Sequence, residues 1–382
     1  MDNKIRVGIT QGDINGIGYE VIIKTLVDNR INDFCIPIIY GSSKVAAFHR
    51  KQLGIENFNL NVINNPSEAN PKRANIINCT QDEVKVELAK STAEAGLSAF
   101  QSLDRAADDL KAGLIDVLVT APINKKNIQS ETFHFPGHTE FLEQKFDCSQ
   151  KGLILMVSDV LRVAVVTGNV PLRDVYRYIT VDNIMEKLET YNNSLKKDFG
   201  VVRPRIAVLG LNPHAGDNGL FGTEEEDVII PAIKQANEHG IMAFGPFPPD
   251  SFFGSTAFRR FDGVLAMHHD QGMVPFKCIA MESGVSFTAG LPIVRTAPDH
   301  GTAYDKAGIG EASPTSFRQA LYLACDVYNN RKRYEEMNAN PLKKQKEEGL
   351  PNFGRGRRQK YEADQTIQDT EDQDDTDIQM SI

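Results

Sequence analysis

Phe261-Asp-Gly-Val-Leu-Ala-Met-His-His-Asp-Gln-Gly272 is an apolar run that ends abruptly in two histidines, a carboxylate and a glycine. Residues 263–267 read as a buried strand, and Gly272 reads as the turn after it. In open α/β sheets, ligands bind in the crevice outside the carboxyl ends of the strands. His268, His269 and Asp270 are therefore expected at a strand end, where metal ligands and proton-transfer groups belong, rather than on a solvated helix face.

The rest of the chain supports that setting. Strand-like segments at 5–10, 35–40, 115–120, 153–157, 162–167, 205–211 and 264–267 alternate with helix-like segments at 19–27, 43–53, 92–112, 182–198, 224–238 and 316–333. Such alternation predicts parallel βαβ units packed in three layers. A length of 382 residues predicts two domains rather than one core. Residues 361–382 hold eight carboxylates and no Lys or Arg, so about 340–382 reads as a disordered charged tail.

Composition narrows the class. Apolar content of 41% and charged content of 24% describe a globular protein, and a net charge of −9 argues against a nucleic-acid surface. No apolar run approaches the roughly 20 residues that span a bilayer, and the N-terminus enters a strand without a secretory core. The five cysteines are scattered without knuckle or redox spacing, as in a cytosolic enzyme with reduced thiols. Cys278, beside Lys277, reads as a half-buried bystander or a reactive thiol.

Several motifs stand at strand ends. Thr10-Gln-Gly-Asp-Ile-Asn-Gly-Ile-Gly18 has the spacing G-x-x-x-G-x-G, neither a Walker loop nor the dinucleotide fingerprint. It reads equally as a structural loop or a ligand loop. Thr120-Ala-Pro-Ile-Asn-Lys125 presents Asn124 and Lys125 to substrate or to solvent. In Phe135-Pro-Gly-His-Thr-Glu-Phe-Leu142, Thr139 is expected to cap a helix, with His138 and Thr139 placed for a phosphate or carboxylate.

Further along, strands end in Gly168-Asn169-Val-Pro171 and Asn212-Pro213-His214-Ala-Gly216. His214 and His269 are placed to converge on one divalent ion, while the acidic run Glu224-Glu-Glu226 reads as a solvated helix start. Lys277 and Arg295 flank an apolar strand, either as solvated cations or as groups for an anion; Arg offers a fixed fork, Lys a point charge or a proton. Asp299-His300-Gly301 adds polar groups at a turn. No Gly-x-Ser-x-Gly elbow is present, which disfavours a serine hydrolase.

Six ordered motifs together resemble the 4-hydroxythreonine-4-phosphate dehydrogenase family of pyridoxine biosynthesis, from about Ile5 to residue 330. They are Gly12-Asp13 with Gly16-Ile17-Gly18, Ala121-Pro-Ile-Asn-Lys125, Gly137-His-Thr-Glu-Phe-Leu142, Leu211-Asn-Pro-His-Ala-Gly216, Ala266-Met-His-His-Asp-Gln-Gly272 and Gly290-Leu-Pro-Ile-Val-Arg-Thr296. The resemblance implies an α/β fold of two α/β/α domains around a central cleft, isocitrate/isopropylmalate dehydrogenase-like. Residues 1–133 plus about 300–335 would form the first domain, and about 134–299 the second, with the metal-site motifs. It further implies a cytoplasmic homodimer with shared active sites, acting on a small phosphorylated substrate, with no nucleic-acid or membrane partner.

The implied reaction is NAD-dependent oxidation of 4-phosphohydroxy-L-threonine, then decarboxylation to 3-amino-2-oxopropyl phosphate, assisted by a divalent metal (Zn, Mg, Mn or Co). By match to the family, His138, Thr139, Lys277 and Arg295 contact substrate. His214 and His269 bind metal, the latter from across the dimer. Lys277 and Asp270 are candidates for proton transfer, and His268 is auxiliary. The nicotinamide contacts are not legible.

Two positions depart from the family pattern. Asn169 stands where a third metal histidine is expected, and offers only an amide oxygen. That predicts weaker zinc binding and a shift toward magnesium or manganese. Ser286 stands where the family has Asn; it still hydrogen-bonds substrate but reaches less far. These departures keep two alternatives open: a dehydrogenase of threonate or erythronate 4-phosphate, and a catalytically weakened phosphometabolite-binding protein. A phosphate acyltransferase would share the fold but would not need the paired histidines.

Overall fold

The computed structural model describes residues 4–80 and 84–341. The chain divides into the units Met1–Glu336 and Met337–Ile382, and only residues 337–341 of the second are described. Apart from Asn340 and Pro341, the charged tail expected from residue 340 lies outside the described residues.

In chain order, β1 (Ile5–Thr10) leads to α1 (Gly18–Leu26), α2 (Ile31–Phe34), β2 (Cys35–Gly41), α3 (Ser43–Gln52), β3 (Asn61–Ile63), β4 (Asn75–Asn78), α4 (Ala93–Lys111) and β5 (Val117–Thr120). Then come α5 (His138–Lys145), β6 (Leu153–Val157), β7 (Arg162–Thr167), α6 (Val181–Lys197), β8 (Arg205–Leu209), α7 (Ile230–Glu238) and β9 (Met242–Phe247). The chain continues through α8 (Pro249–Gly254), β10 (Gly263–His268), α9 (His269–Ala280), β11 (Val285–Ala289), β12 (Arg295–Pro298) and α10 (Thr315–Asn338).

All these strands join one sheet in the order β3-β4-β2-β1-β5-β12-β11-β6-β7-β10-β8-β9. Its inner strands read as continuous apolar runs because both faces are covered; β5 is buried at every residue. Helix starts follow local capping. Ser42, Thr92 and Thr180 each accept the backbone N–H three residues on, at 3.3, 3.2 and 3.3 Å, heading α3, α4 and α6.

Four expectations need correction. The sheet is mixed: β6 is antiparallel to β7 and β11, and β11 is antiparallel to β12. The cause lies in the connection, since Ser158 N–H donates to the Leu161 carbonyl at 2.9 Å in a turn far too short for a parallel crossover. Gly272 is not a turn but lies inside α9, where a Cβ would meet Val163 Cγ1 at 2.9 Å and Val165 Cγ1 at 3.1 Å. Thr139 does not cap α5; Gly137 holds that position without a side-chain hydrogen bond. Cys278 is exposed rather than half-buried.

The Thr10–Gly18 loop is buried and structural. Gln11, Asp13 and Asn15 have no exposed surface. Asp13 N–H donates to the Pro122 carbonyl at 2.9 Å, and Ile17 N–H to the Thr302 carbonyl at 3.0 Å. The Asp13 carboxylate accepts from Tyr304 at 2.7 Å and from Asn127 at 2.8 Å. Gly12 has φ +67°, and any Cβ there would collide with the Pro122 carbonyl oxygen. Gly12→Ala should therefore cost roughly 2–4 kcal/mol, summing left-handed strain and overpacking. A urea melt with unchanged m-value checks this, and a loss below about 0.5 kcal/mol, typical of a neutral surface change, would refute it.

Candidate active site

The strongest electrostatic feature is Arg295, the first residue of β12 and 5% exposed. β12 pairs with β5 in parallel, Arg295 opposite Leu118. That register brings the guanidinium to the end of β5. Its Nε and Nη2 both donate to Thr120 Oγ1, at 3.0 and 2.6 Å; Nη1 donates to Thr288 Oγ1 at 3.4 Å, and Nη2 to His138 Nδ1 at 3.2 Å. None of these partners is a carboxylate. Burial pushes Arg295 down to about 10, against the pull of Glu140. A buried cation held only by neutral groups is costly, and an anion alongside it offsets that cost.

A pocket of about 200 Å³ opens at this point, lined among others by Thr120, Lys125, His138, Ser286, Arg295 and His300. Burial, then Arg295 and Lys125, hold His138 well below the usual imidazole range, so it is neutral near pH 7. Its Nε2 is buried without a hydrogen-bond partner among the described residues, as is Nε2 of His300. Thr139 is buried beside His138 at the start of α5. The pocket thus combines one fixed cation, Arg295, an exposed one, Lys125, two imidazoles and hydroxyls, a lining suited to a phosphate. Of the pair left open in the Thr120–Lys125 motif, Lys125 lines the pocket. Asn124 instead braces the loop, accepting from Lys126 N–H at 2.9 Å and donating to Tyr304 Oη at 3.1 Å.

Lys277 lies in the last turn of α9, half exposed, with Nζ 3.4 Å from Asp299 Oδ1. Burial raises the Asp299 carboxyl despite that ammonium. The Asp299 backbone is held in turn by Ser316 Oγ at 3.0 Å. Asp270 is placed differently from expectation. It sits in the first turn of α9, 80% exposed, and accepts from His269 Nδ1 at 2.7 Å. Lys277 lies seven positions further along the helix, roughly 10 Å of rise, so one chain does not bring the two together. His268 is the half-buried N-cap residue of α9, its pKa lowered by burial.

The metal candidates stand at the carboxyl ends of three neighbouring parallel strands, β7, β10 and β8. Asn169 follows β7, His269 follows β10 and His214 follows β8, and all three are exposed. Among the described residues, no three His, Cys, Asp or Glu side chains gather as a cage within the chain. As chemistry, two accessible imidazoles and an amide oxygen fit a borderline divalent ion. His214 and Ala215 adopt left-handed φ of 54° and 52°, a strained conformation away from glycine. Glu225 braces the backbone just before them. It is buried, not part of a solvated helix start, and its carboxylate accepts from the N–H groups of Leu211 and Asn212, both at 2.7 Å. Gln271 ties β10 to β8, accepting from Met267 N–H and donating to the Gly210 carbonyl, each at 2.7 Å.

The glycine loop does not fit a dinucleotide. The space at Gly12 and Gly16 is filled by the backbone of Pro122 and Thr302, so no pyrophosphate can approach. Sequence reasoning missed Thr288 and Glu225, and did not give Thr120 or Asp299 their supporting roles. Thr120 carried a signal as the polar last residue of an apolar strand, and Asp299 as a polar group at a turn.

The described residues contain no helix long and apolar enough to cross a membrane. A family model described as pyridoxal phosphate biosynthetic protein PdxA matches residues 33–324. A 4-hydroxythreonine-4-phosphate dehydrogenase of Bacteroides thetaiotaomicron is 55% identical over 344 residues, covering 90% of this chain and 94% of that one. A D-threonate 4-phosphate dehydrogenase of Cupriavidus necator is 37% identical, covering 85% and 98%. The crystal structure of 4-hydroxythreonine-4-phosphate dehydrogenase from Klebsiella pneumoniae superposes with a TM-score of 0.74 at 32% identity, covering 85% and 98%. With its mixed α/β sheet and its strand-end motifs, this chain belongs to the PdxA family of pyridoxal phosphate biosynthetic proteins.

Proposed function

We propose that the protein catalyses NAD-dependent oxidation and decarboxylation of 4-phosphohydroxy-L-threonine to 3-amino-2-oxopropyl phosphate, as a cytoplasmic homodimer with shared active sites. The observation that carries this reading is the buried Arg295, which lacks a carboxylate partner and faces a small pocket lined by cations and imidazoles. That pocket takes the substrate phosphate. Thr139 and Ser286 add hydroxyl contacts around the same ligand. The two-lobe division of residues 1–133 plus about 300–335 against 134–299 belongs to this proposal.

When bound, a nicotinamide would supply the hydride acceptor, and His214, His269 and Asn169 would hold a divalent ion supplying Lewis acidity at the substrate oxygen. The chain's own residues do the rest. Lys277, anchored by Asp299, presents an ammonium for proton return after carbon dioxide departs. Asp270, exposed at the start of α9, supplies a second carboxylate for proton transfer across the dimer.

A second reading, a dehydrogenase of threonate or erythronate 4-phosphate, is favoured by two observations. Ser286 shortens the polar reach on the pocket wall, and a relative of 37% identity carries the D-threonate name. NADH production with each phosphorylated substrate separates the two. No turnover on any of them would favour the binding-protein alternative.

Two outcomes follow. Arg295→Lys keeps the charge but loses the fork onto Thr120 and His138, so kcat/KM should fall by about 10- to 100-fold, mainly through KM. Steady-state kinetics check this, and an unchanged KM would contradict it. Because Asn169 supplies an oxygen where imidazole is expected, magnesium or manganese should compete better with zinc than in Asn169→His. Metal titration of the apo-protein by calorimetry tests that, and zinc affinity equal in the two proteins would sink it.

A further inference from the structure

We propose that His300 is a phosphate-binding residue of the Arg295 pocket, and that binding of the anion draws a proton onto its Nε2. The proposal rests on the reading of that pocket as the phosphate subsite. His300 Nδ1 lies 3.1 Å from the Gly301 carbonyl. A carbonyl only accepts, so Nδ1 carries the hydrogen, and in the neutral ring Nε2 is a bare lone pair. That Nε2 is buried without a partner, and the residue lines the pocket.

His138 is arranged the opposite way. Arg295 can only donate, so His138 Nδ1 accepts, and its partnerless Nε2 bears the hydrogen. One pocket therefore holds an imidazole donor and an imidazole acceptor, both unsatisfied. A phosphoryl oxygen satisfies His138 as it stands but meets a lone pair at His300. Protonating His300 turns that repulsion into a charge-assisted hydrogen bond. His138 cannot take the proton instead without giving up Arg295.

The balance is simple: the neutral imidazole, one proton from solvent and the anion combine into an imidazolium–anion pair. Of the groups around His300, the Asp299 carboxylate favours the charged ring and Lys277 opposes it; Arg295, Lys125 and His138 share the pocket. In the free protein, burial holds His300 below its ordinary value. An anion raises it. The pKa is thus lower free than bound, so binding strengthens as pH falls through the interval between the two values. It weakens by up to tenfold per pH unit as pH rises across it.

Sulfate is the suitable probe, because it brings no titratable proton near neutrality. Calorimetry on the full chain at pH 7.5, in buffers of different ionisation enthalpy, should show uptake approaching one proton per sulfate bound. His300→Gln, whose amide reaches the Nε2 position but cannot titrate, should bind with uptake near zero and a flat pH dependence. His300→Asn, which replaces only the Nδ1 side, should bind more weakly and also without uptake. Sulfate binding without proton uptake in the unaltered protein, or uptake retained in His300→Gln, overturns the proposal. Sulfate binding that Arg295→Lys leaves unchanged overturns instead the phosphate subsite on which it rests.

Discussion

A guanidinium buried without a carboxylate is the constraint around which this site is arranged. Arg295 is held by Thr120, Thr288 and His138, which are neutral and orient it without neutralising it. The charge is preserved for a ligand, and the desolvation already imposed by the fold strengthens its attraction to an anion. Each neighbour answers to it. His138 stays uncharged beside it, Lys125 adds a second, exposed cation to the lining, and the turn after β12 brings His300 into the same pocket.

Holding such a charge requires a stiff frame, and the glycine loop after β1 supplies it. Its backbone bonds to Pro122, just past β5, and to Thr302, just past His300, so one buried loop braces two of the segments that line the pocket. Asp13 extends the brace through Tyr304 and Asn127. The glycines are needed because backbone meets backbone, leaving no space for side chains at Gly12, Gly16 and Gly18. A similar device supports the metal-capable strand ends. Glu225 fixes the loop that carries His214 in a left-handed turn, and Gln271 locks β10 to β8. Both use a polar side chain to orient backbone rather than for chemistry.

Much of this was legible from local pattern. The strand-end placement of His214 and His269 follows from apolar runs that stop at polar residues, and such runs form wherever they are buried on both faces. The antiparallel β6–β7 pair was also within reach, since four residues between two strands leave room only for a hairpin. What stayed hidden depends on partners far along the chain. Arg295 and Thr120 are 175 residues apart, and nothing near either marks the other. The acidic run around Glu225 looked solvated because its partners, Leu211 and Asn212, come from a different element.

The sequence alone determined the α/β class, the family and the identity of the charged and imidazole groups, because these depend on residue type and short-range periodicity. Only the tertiary structure decided which of them share a pocket. It made Gly272 a contact point of helix on sheet instead of a turn, and it left His269 and Asp270 exposed on the first helical turn while burying Arg295 and partly burying Asp299. The reason is physical. Charge and hydrogen-bonding capacity belong to a residue, but burial and partnership are set by the packing of strands and helices distant in sequence, and those two quantities determine what each group can bind.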